Sequence, residues 1–320
     1  MSERPPAAEQ ALVFECQDEQ LLGLLHLGSA SVGVVMVVGG PQYRAGSHRF
    51  FVQQARALAA VGHPVLRFDN RGMGDSSGAL RDFEQITPDI GAAIDALVLA
   101  QPQVRAVVLW GLCDAASAAL IYLAERPDAR VRGLCLLNPW VRSAASLAQM
   151  HVKHYYWQRL KQPDFWRKLL GGRVARDALE GLWGNLRAAR KAPAAAAAAS
   201  FQQRMLAGWQ GFDGASLLVL SGKDYTAQEF VEYTRAHPAW LGWLSSPGLQ
   251  RLPLPLADHT VSSADDAAQL AQATLQWLQQ LVESTAGVSP ATSPATSPAT
   301  SPATSPAPTP APAPGTALLP

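Results

Sequence analysis

A cysteine stands where an apolar run gives way to helix-forming residues. Residues 107–117 read Val-Val-Leu-Trp-Gly-Leu-Cys-Asp-Ala-Ala-Ser. The apolar run reaches Gly111, then one residue, Cys113, one residue and Ala115, and good helix formers continue to Ala124. This is the spacing of a nucleophile elbow, Gly-x-nucleophile-x-Gly, with cysteine as the nucleophile and alanine for the second glycine. Small residues two positions either side are a steric need, because the tight turn brings strand and helix against them. Such a turn presents Cys113 at the carboxyl edge of a sheet and at a helix N-terminus. The dipole and free N–H groups there favour a thiolate and later an oxyanion. An ordinary free cysteine is more often a small buried hydrophobe, and Cys16 and Cys135 are read that way.

Two residues downstream set Cys113 apart. Asp224 follows the apolar run 217–221, and His259 lies in Leu-Ala-Asp-His-Thr ahead of the last helical stretch. Singly, each reads as a turn or cap residue. Together, at three strand ends, they read as nucleophile, acid and histidine. His259 would take the Cys113 proton or hold the thiolate as an ion pair, and Asp224 would fix the imidazole tautomer. Asp258 competes for the acid's role, but adjacent side chains point apart. Asp114 either tunes the thiol or starts the helix, and the second reading is preferred. Its backbone N–H is one expected oxyanion donor. The other belongs to the loop after Val38, Gly39-Gly40-Pro41-Gln42. Proline has no N–H, so Gly40 and Gln42 are the candidates. Tyr43, Arg44 and Trp140 are expected to bind substrate, with Arg44 pairing an anionic group. His48 and Arg49 read as the start of a helix. The loop 69–78, Asp-Asn-Arg-Gly-Met-Gly-Asp-Ser-Ser-Gly, lacks the Gly-Lys-Ser/Thr of a phosphate cradle. It reads as a structural turn tied by Arg71 with Asp75 or Asp69.

Periodicity supplies the elements that must position these groups. Strands are expected at 12–14, 21–27, 32–38, 64–68, 104–110, 131–137, 216–221 and 249–252, and helices at 48–61, 86–100, 115–126, 227–237 and 263–282. The alternation predicts a mostly parallel sheet of about eight strands with helices on both faces. Residues 140–212, rich in tryptophan and arginine, break the rhythm and predict an inserted helical cap. The organisation expected is a flexible N-terminus (1–10), a core (11–139 and 213–286), the cap (140–212) and a tail (287–320). That tail repeats Ser-Pro-Ala-Thr and is expected to be disordered.

The chain has 320 residues and a formal net charge of +1, which argues against nucleic acid as a main partner. It has no apolar signal region and no stretch of membrane-span length. Its three cysteines make no disulfide framework. These features predict the reducing cytoplasm, where a reactive thiol survives. No metal or cofactor is expected.

Over about residues 12–282, the elbow, the order Cys113, Asp224, His259 and the loop 69–76 resemble the α/β-hydrolase superfamily. The likeness is to its serine hydrolase and lysophospholipase-like branch. Four stretches resemble, more narrowly, the exosortase A system-associated hydrolase 1 family. They are Gly-Gly-Pro-Gln-Tyr-Arg-Ala-Gly-Ser-His (39–48), Trp-Gly-Leu-Cys-Asp-Ala-Ala-Ser (110–117), Leu-Asn-Pro-Trp-Val-Arg (137–142) and Gly-Lys-Asp-Tyr-Thr-Ala-Gln-Glu-Phe (222–230). Those bacterial proteins accompany exopolysaccharide biosynthesis and an exosortase sorting system. The resemblance implies the α/β-hydrolase fold, triad positions at Cys113, Asp224 and His259, and a cytoplasmic hydrolase. Three departures stand out: cysteine for serine, Ala115 for glycine, and an acid two residues after its glycine where three is commoner. The resulting expectation is an enzyme that cleaves an ester or thioester of a small-molecule acyl substrate, or transfers its acyl group, through an acyl-enzyme. The alternative is a catalytically idle scaffold or binding protein, since one fold carries many functions.

Overall fold

Apolar runs without polar alternation fold as strands buried on both faces. Two such runs, β3 (Val32–Val37) and β5 (Ala106–Leu112), are buried at every residue and lie side by side at the middle of the sheet. The computed structural model describes residues 8–40, 42–142 and 199–286. Around β3 and β5 are β1 (Glu9–Cys16), β2 (Glu19–His26), β4 (Val65–Phe68), β6 (Val131–Leu137), β7 (Ala215–Ser221) and β8 (Leu249–Leu254), in the order β1-β2-β4-β3-β5-β6-β7-β8. β1/β2 and β2/β4 pair antiparallel and every other neighbour pairs parallel.

Parallel neighbours require crossovers, and helices supply them. α1 (Phe50–Ala60) and α7 (Ala264–Ala286) cover one face, through Phe50, Phe51, Leu58, Leu270 and Trp277. α2 (Thr87–Ala100), α3 (Asp114–Glu125), α4 (Phe201–Gln210), α5 (Tyr225–Ala236) and α6 (Pro238–Leu244) build the core on the other, through Ile90, Leu120, Met205, Phe230 and Trp243 among others. The carboxyl ends of β3 to β8 then share one edge, where open α/β sheets bind ligands.

The differences from expectation are local. β1 is longer than 12–14, because it pairs with β2 along its whole length through a two-residue turn at Gln17 and Asp18, both at positive φ (50° and 65°). α1 begins at Phe50, because His48 and Arg49 are left-handed (φ 52° and 61°). α6 was not foreseen. Most of the expected cap (143–198), the tail (287–320) and residues 1–7 lie outside the described residues. At the described ends of the cap stretch, α4 packs against α3, and Gln202 Nε2 donates to the Val141 carbonyl at 3.1 Å.

Candidate active site

Cys113 sits between β5 and α3 with φ 63° and ψ −123°, a conformation that non-glycine residues hold only when their surroundings enforce it. The surroundings are visible. The Cys113 N–H donates to the Leu137 carbonyl at 2.9 Å, and its own carbonyl accepts from the N–H groups of Ala116 (3.1 Å) and Trp140 (3.2 Å). A Cβ on Gly111 would come within 2.7 Å of the Ala115 carbonyl. The strand and helix therefore close on each other as the small residues at 111 and 115 anticipate, and Ala115 is fully buried.

His259 follows β8. Its Nδ1 lies 2.8 Å from Asp224 Oδ2, and the Cys113 side chain is near enough to favour the charged imidazole. Asp224 serves two purposes, since its Oδ1 accepts from the Thr226 N–H (3.0 Å) and caps α5. The turn reading and the acid reading of Asp224 thus coexist. The hydrogen bond to Asp224, then the Cys113 side chain, push the His259 imidazole up to about 10 against the pull of burial. Asp258 is spent on its own turn, accepting from the N–H groups of Thr260 (3.1 Å) and Ser262 (3.0 Å).

One positioning residue was missed. Asn138, fully buried at the end of β6 with φ 44°, ties three strand ends together. Its Oδ1 accepts from the Ser221 N–H (2.8 Å). Its Nδ2 donates to Ser221 Oγ (3.0 Å) and to the His259 carbonyl (3.3 Å). The Asn-Pro pair directly after an apolar run was the available signal.

The expected oxyanion and substrate groups are arranged differently. The Gln42 N–H is committed to the Gly40 carbonyl at 2.8 Å, so the turn, not the site, uses that donor. The Gly40 N–H points to Asp114, donating to its Oδ2 at 2.8 Å. Arg44 is not poised for an anion. It is buried, and its Nη1 is paired with Asp69 and with Asp75 Oδ2 (2.8 Å). The reason is local: Asp69 draws in both the Arg44 guanidinium and its N–H (2.6 Å), while also accepting from the Asp75 N–H (3.1 Å). The exposed Tyr43 donates its hydroxyl to Asp75 Oδ2 at 2.6 Å. Trp140 is half-buried beside the elbow, with the Arg142 guanidinium 4.8 Å from its ring centre. Arg71 binds both oxygens of the buried Asp89 (3.0 and 2.8 Å), which fastens the glycine-rich loop to α2.

A cavity of about 380 Å³ opens beside Asp114, lined by Val38, Met73, Leu80, Phe83 and Ile86 together with the polar Asn70, Arg81 and Asp82. Among the described residues, no group of three or more His, Cys, Asp or Glu could hold a metal ion, and no helix is long and apolar enough to cross a membrane.

The chain has the α/β-hydrolase fold. A family model described as serine aminopeptidase, S33 (Hydrolase_4) matches residues 30–178. No curated protein sequence matches. Solved structures share the fold at low identity. An esterase of Pyrococcus furiosus, Pf2001, is 15% identical with a TM-score of 0.57, over 86% of this chain and 93% of its own. Est1E of Butyrivibrio proteoclasticus, solved with ferulic acid, is 14% identical with a TM-score of 0.54, over 85% and 100%. A hydrolase of Thermoplasma acidophilum described as CIB-like is 13% identical with a TM-score of 0.53, over 86% and 99%.

Proposed function

We propose that this protein is a cysteine-dependent hydrolase of carboxylic esters or thioesters. The observation that carries the reading is His259, paired with Asp224 at 2.8 Å and near enough to Cys113 for the sulfur to favour its charged form. Asp224 favours the charged imidazole, so His259 either takes the Cys113 proton as attack begins or holds the thiolate as an ion pair. The thiolate attacks the acyl carbon, and the carbonyl becomes an oxyanion. Collapse of that intermediate expels the leaving group, which takes the His259 proton, and leaves an acyl-thioester on Cys113. The neutral imidazole then removes a proton from water as it attacks the thioester. The second collapse returns Cys113 as thiolate and His259 as imidazolium, and releases the acid. Asp224 holds the ring in the tautomer that both steps need. An acyl-thioester also reacts with amines and thiols, so an acceptor other than water would make the same site an acyltransferase.

The apolar walls beside Asp114 suit the acyl part of such a substrate. The esterase Pf2001 of Pyrococcus furiosus, which shares the fold, supports the ester chemistry. The resemblance to exosortase-associated hydrolases points to O-acyl groups on polysaccharide precursors as the first substrates to test, in a reducing cytoplasm.

Two measurements decide the matter. Cys113→Ala is expected to reduce turnover of short p-nitrophenyl ester and thioester probes to background while the circular dichroism spectrum is unchanged. Wild-type turnover in that variant would overturn the nucleophile's assignment. Iodoacetamide at pH 6 is expected to label Cys113 ahead of Cys16 and Cys135, and at least tenfold more slowly in His259→Ala. Sluggish labelling, indifferent to that substitution, would favour the idle scaffold.

A further inference from the structure

One of the amides expected to meet the substrate's oxyanion is already engaged. Gly40 donates its N–H to Asp114 Oδ2 at 2.8 Å, and the N–H groups of Ala115 and of Asp114 itself also favour the Asp114 carboxylate. The loop is shaped around this carboxylate. A Cβ on Gly39 would lie 1.9 Å from Asp114 Oδ1, so only glycine leaves room for it. Burial nonetheless pushes the Asp114 carboxyl above its ordinary value, against the pull of these three amides. An acidic residue directly after the nucleophile thus accepts from an amide that was expected to face an oxyanion.

We propose that the Asp114 carboxylate is an internal ligand of the oxyanion hole, held there in the resting protein and expelled by productive substrates. The inference rests on Cys113 being the nucleophile, as argued above. Two anionic oxygens cannot share the same amides, because like charges at contact disfavour one another strongly. Acylation therefore requires Asp114 to leave. A substrate has to supply that displacement from binding elsewhere, and the apolar side of the adjoining cavity of about 380 Å³, at Val38, Met73, Leu80, Phe83 and Ile86, is where an acyl chain can supply it. Asp114 then acts as a specificity determinant, discriminating against acyl groups too small to fill the cavity. Binding energy realised away from the reacting carbon is spent on rearrangement at it.

The test compares two reactions of one sulfur. Alkylation by iodoacetamide is a displacement at saturated carbon and forms no oxyanion. Acylation by p-nitrophenyl acetate does form one. The ratio of the acylation burst rate to the alkylation rate, measured on the whole protein, reports the oxyanion hole after the thiol's own reactivity cancels. Removing a single oxyanion donor typically costs about 10²–10³ in rate, so freeing the amides in Asp114→Ala is expected to raise the ratio at least tenfold. Asp114→Asn, which keeps the shape and loses the charge, is expected to raise it by a smaller factor and serves where the alanine variant fails to fold. A ratio unchanged or lowered in the folded variant overturns this proposal alone. A Cys113 that neither reagent modifies overturns the nucleophile's assignment and this proposal with it.

Discussion

Two histidines of this chain are driven in opposite directions by their neighbours. His259 faces a carboxylate and a sulfur, which raise it to about 10. His26 is fully buried in β2, where its Nε2 accepts from Arg67 Nε at 3.0 Å and its Nδ1 lies 3.6 Å from Glu9 Oε1. Burial first, and then the Arg67 charge, lower it from 6.5 to about 4. The unfolded chain takes up a proton at His26 below its ordinary value, whereas the folded protein refuses it until about 4. The stability due to neutral His26 is therefore intact above pH 6.5 and lost as the pH falls toward 4. At 1.36 kcal/mol per pKa unit, the loss is about 3 kcal/mol. Urea unfolding of wild type and His26→Gln at pH 7 and pH 4 checks it. The wild type is expected to lose about 3 kcal/mol more than the variant, and parallel losses would refute the assignment. Residues of the site divide in a related way. Cys113, Asp224 and His259 leave a trace in sequence, because each follows a strand in a run with turn or cap chemistry. Asn138 and the Asp114 carboxylate were illegible, since their partners at Ser221, His259 and Gly40 are set only by how strand ends approach in space.

Among the elements, the buried strands were the easiest to read. β3 and β5 are continuous apolar runs, and nothing but a two-sided interior accommodates them. The edge hairpin was under-read, because Glu9, Gln10 and Glu15 dilute its pattern, although pairing with β2 fixes it in full. α6 was invisible for another reason. Pro-Ala-Trp-Leu-Gly-Trp-Leu is short and contains glycine, a weak helix former, so helicity there depends on what Trp240 and Trp243 bury against. Trp243 is fully enclosed, with Phe230 of α5 at 5.2 Å, Trp240 at 5.4 Å and Trp209 of α4 at 5.7 Å between ring centres. Truncation of a buried tryptophan costs about 3–5 kcal/mol. Trp243→Ala is expected to lose that much in urea denaturation, and a loss under about 1 kcal/mol would show that this cluster does not anchor α6.

At the scale of the molecule, the site gathers groups from the ends of β3, β5, β6, β7 and β8, so no contiguous piece of chain contains it. One stretch is spliced into the chain at a single joint. Residues 143–198 depart after β6 and return before β7, and these strands are direct neighbours in the sheet, with Leu137 opposite Val219. Where the chain departs and rejoins, Val141 and Gln202 are already joined by a hydrogen bond, and Arg142 is held by Glu229 of α5 (2.8 Å). Closing a short loop between ends that already meet costs little entropy. Replacing 143–198 with a brief Gly-Ser bridge is expected to leave a cooperatively unfolding protein whose Cys113 still reacts with iodoacetamide. Loss of cooperative unfolding would show that the stretch is integral to the core. The joint between β6 and β7 is in effect a socket. A lineage could lengthen or shorten what is spliced there while the reacting sulfur and its imidazole stay where they are.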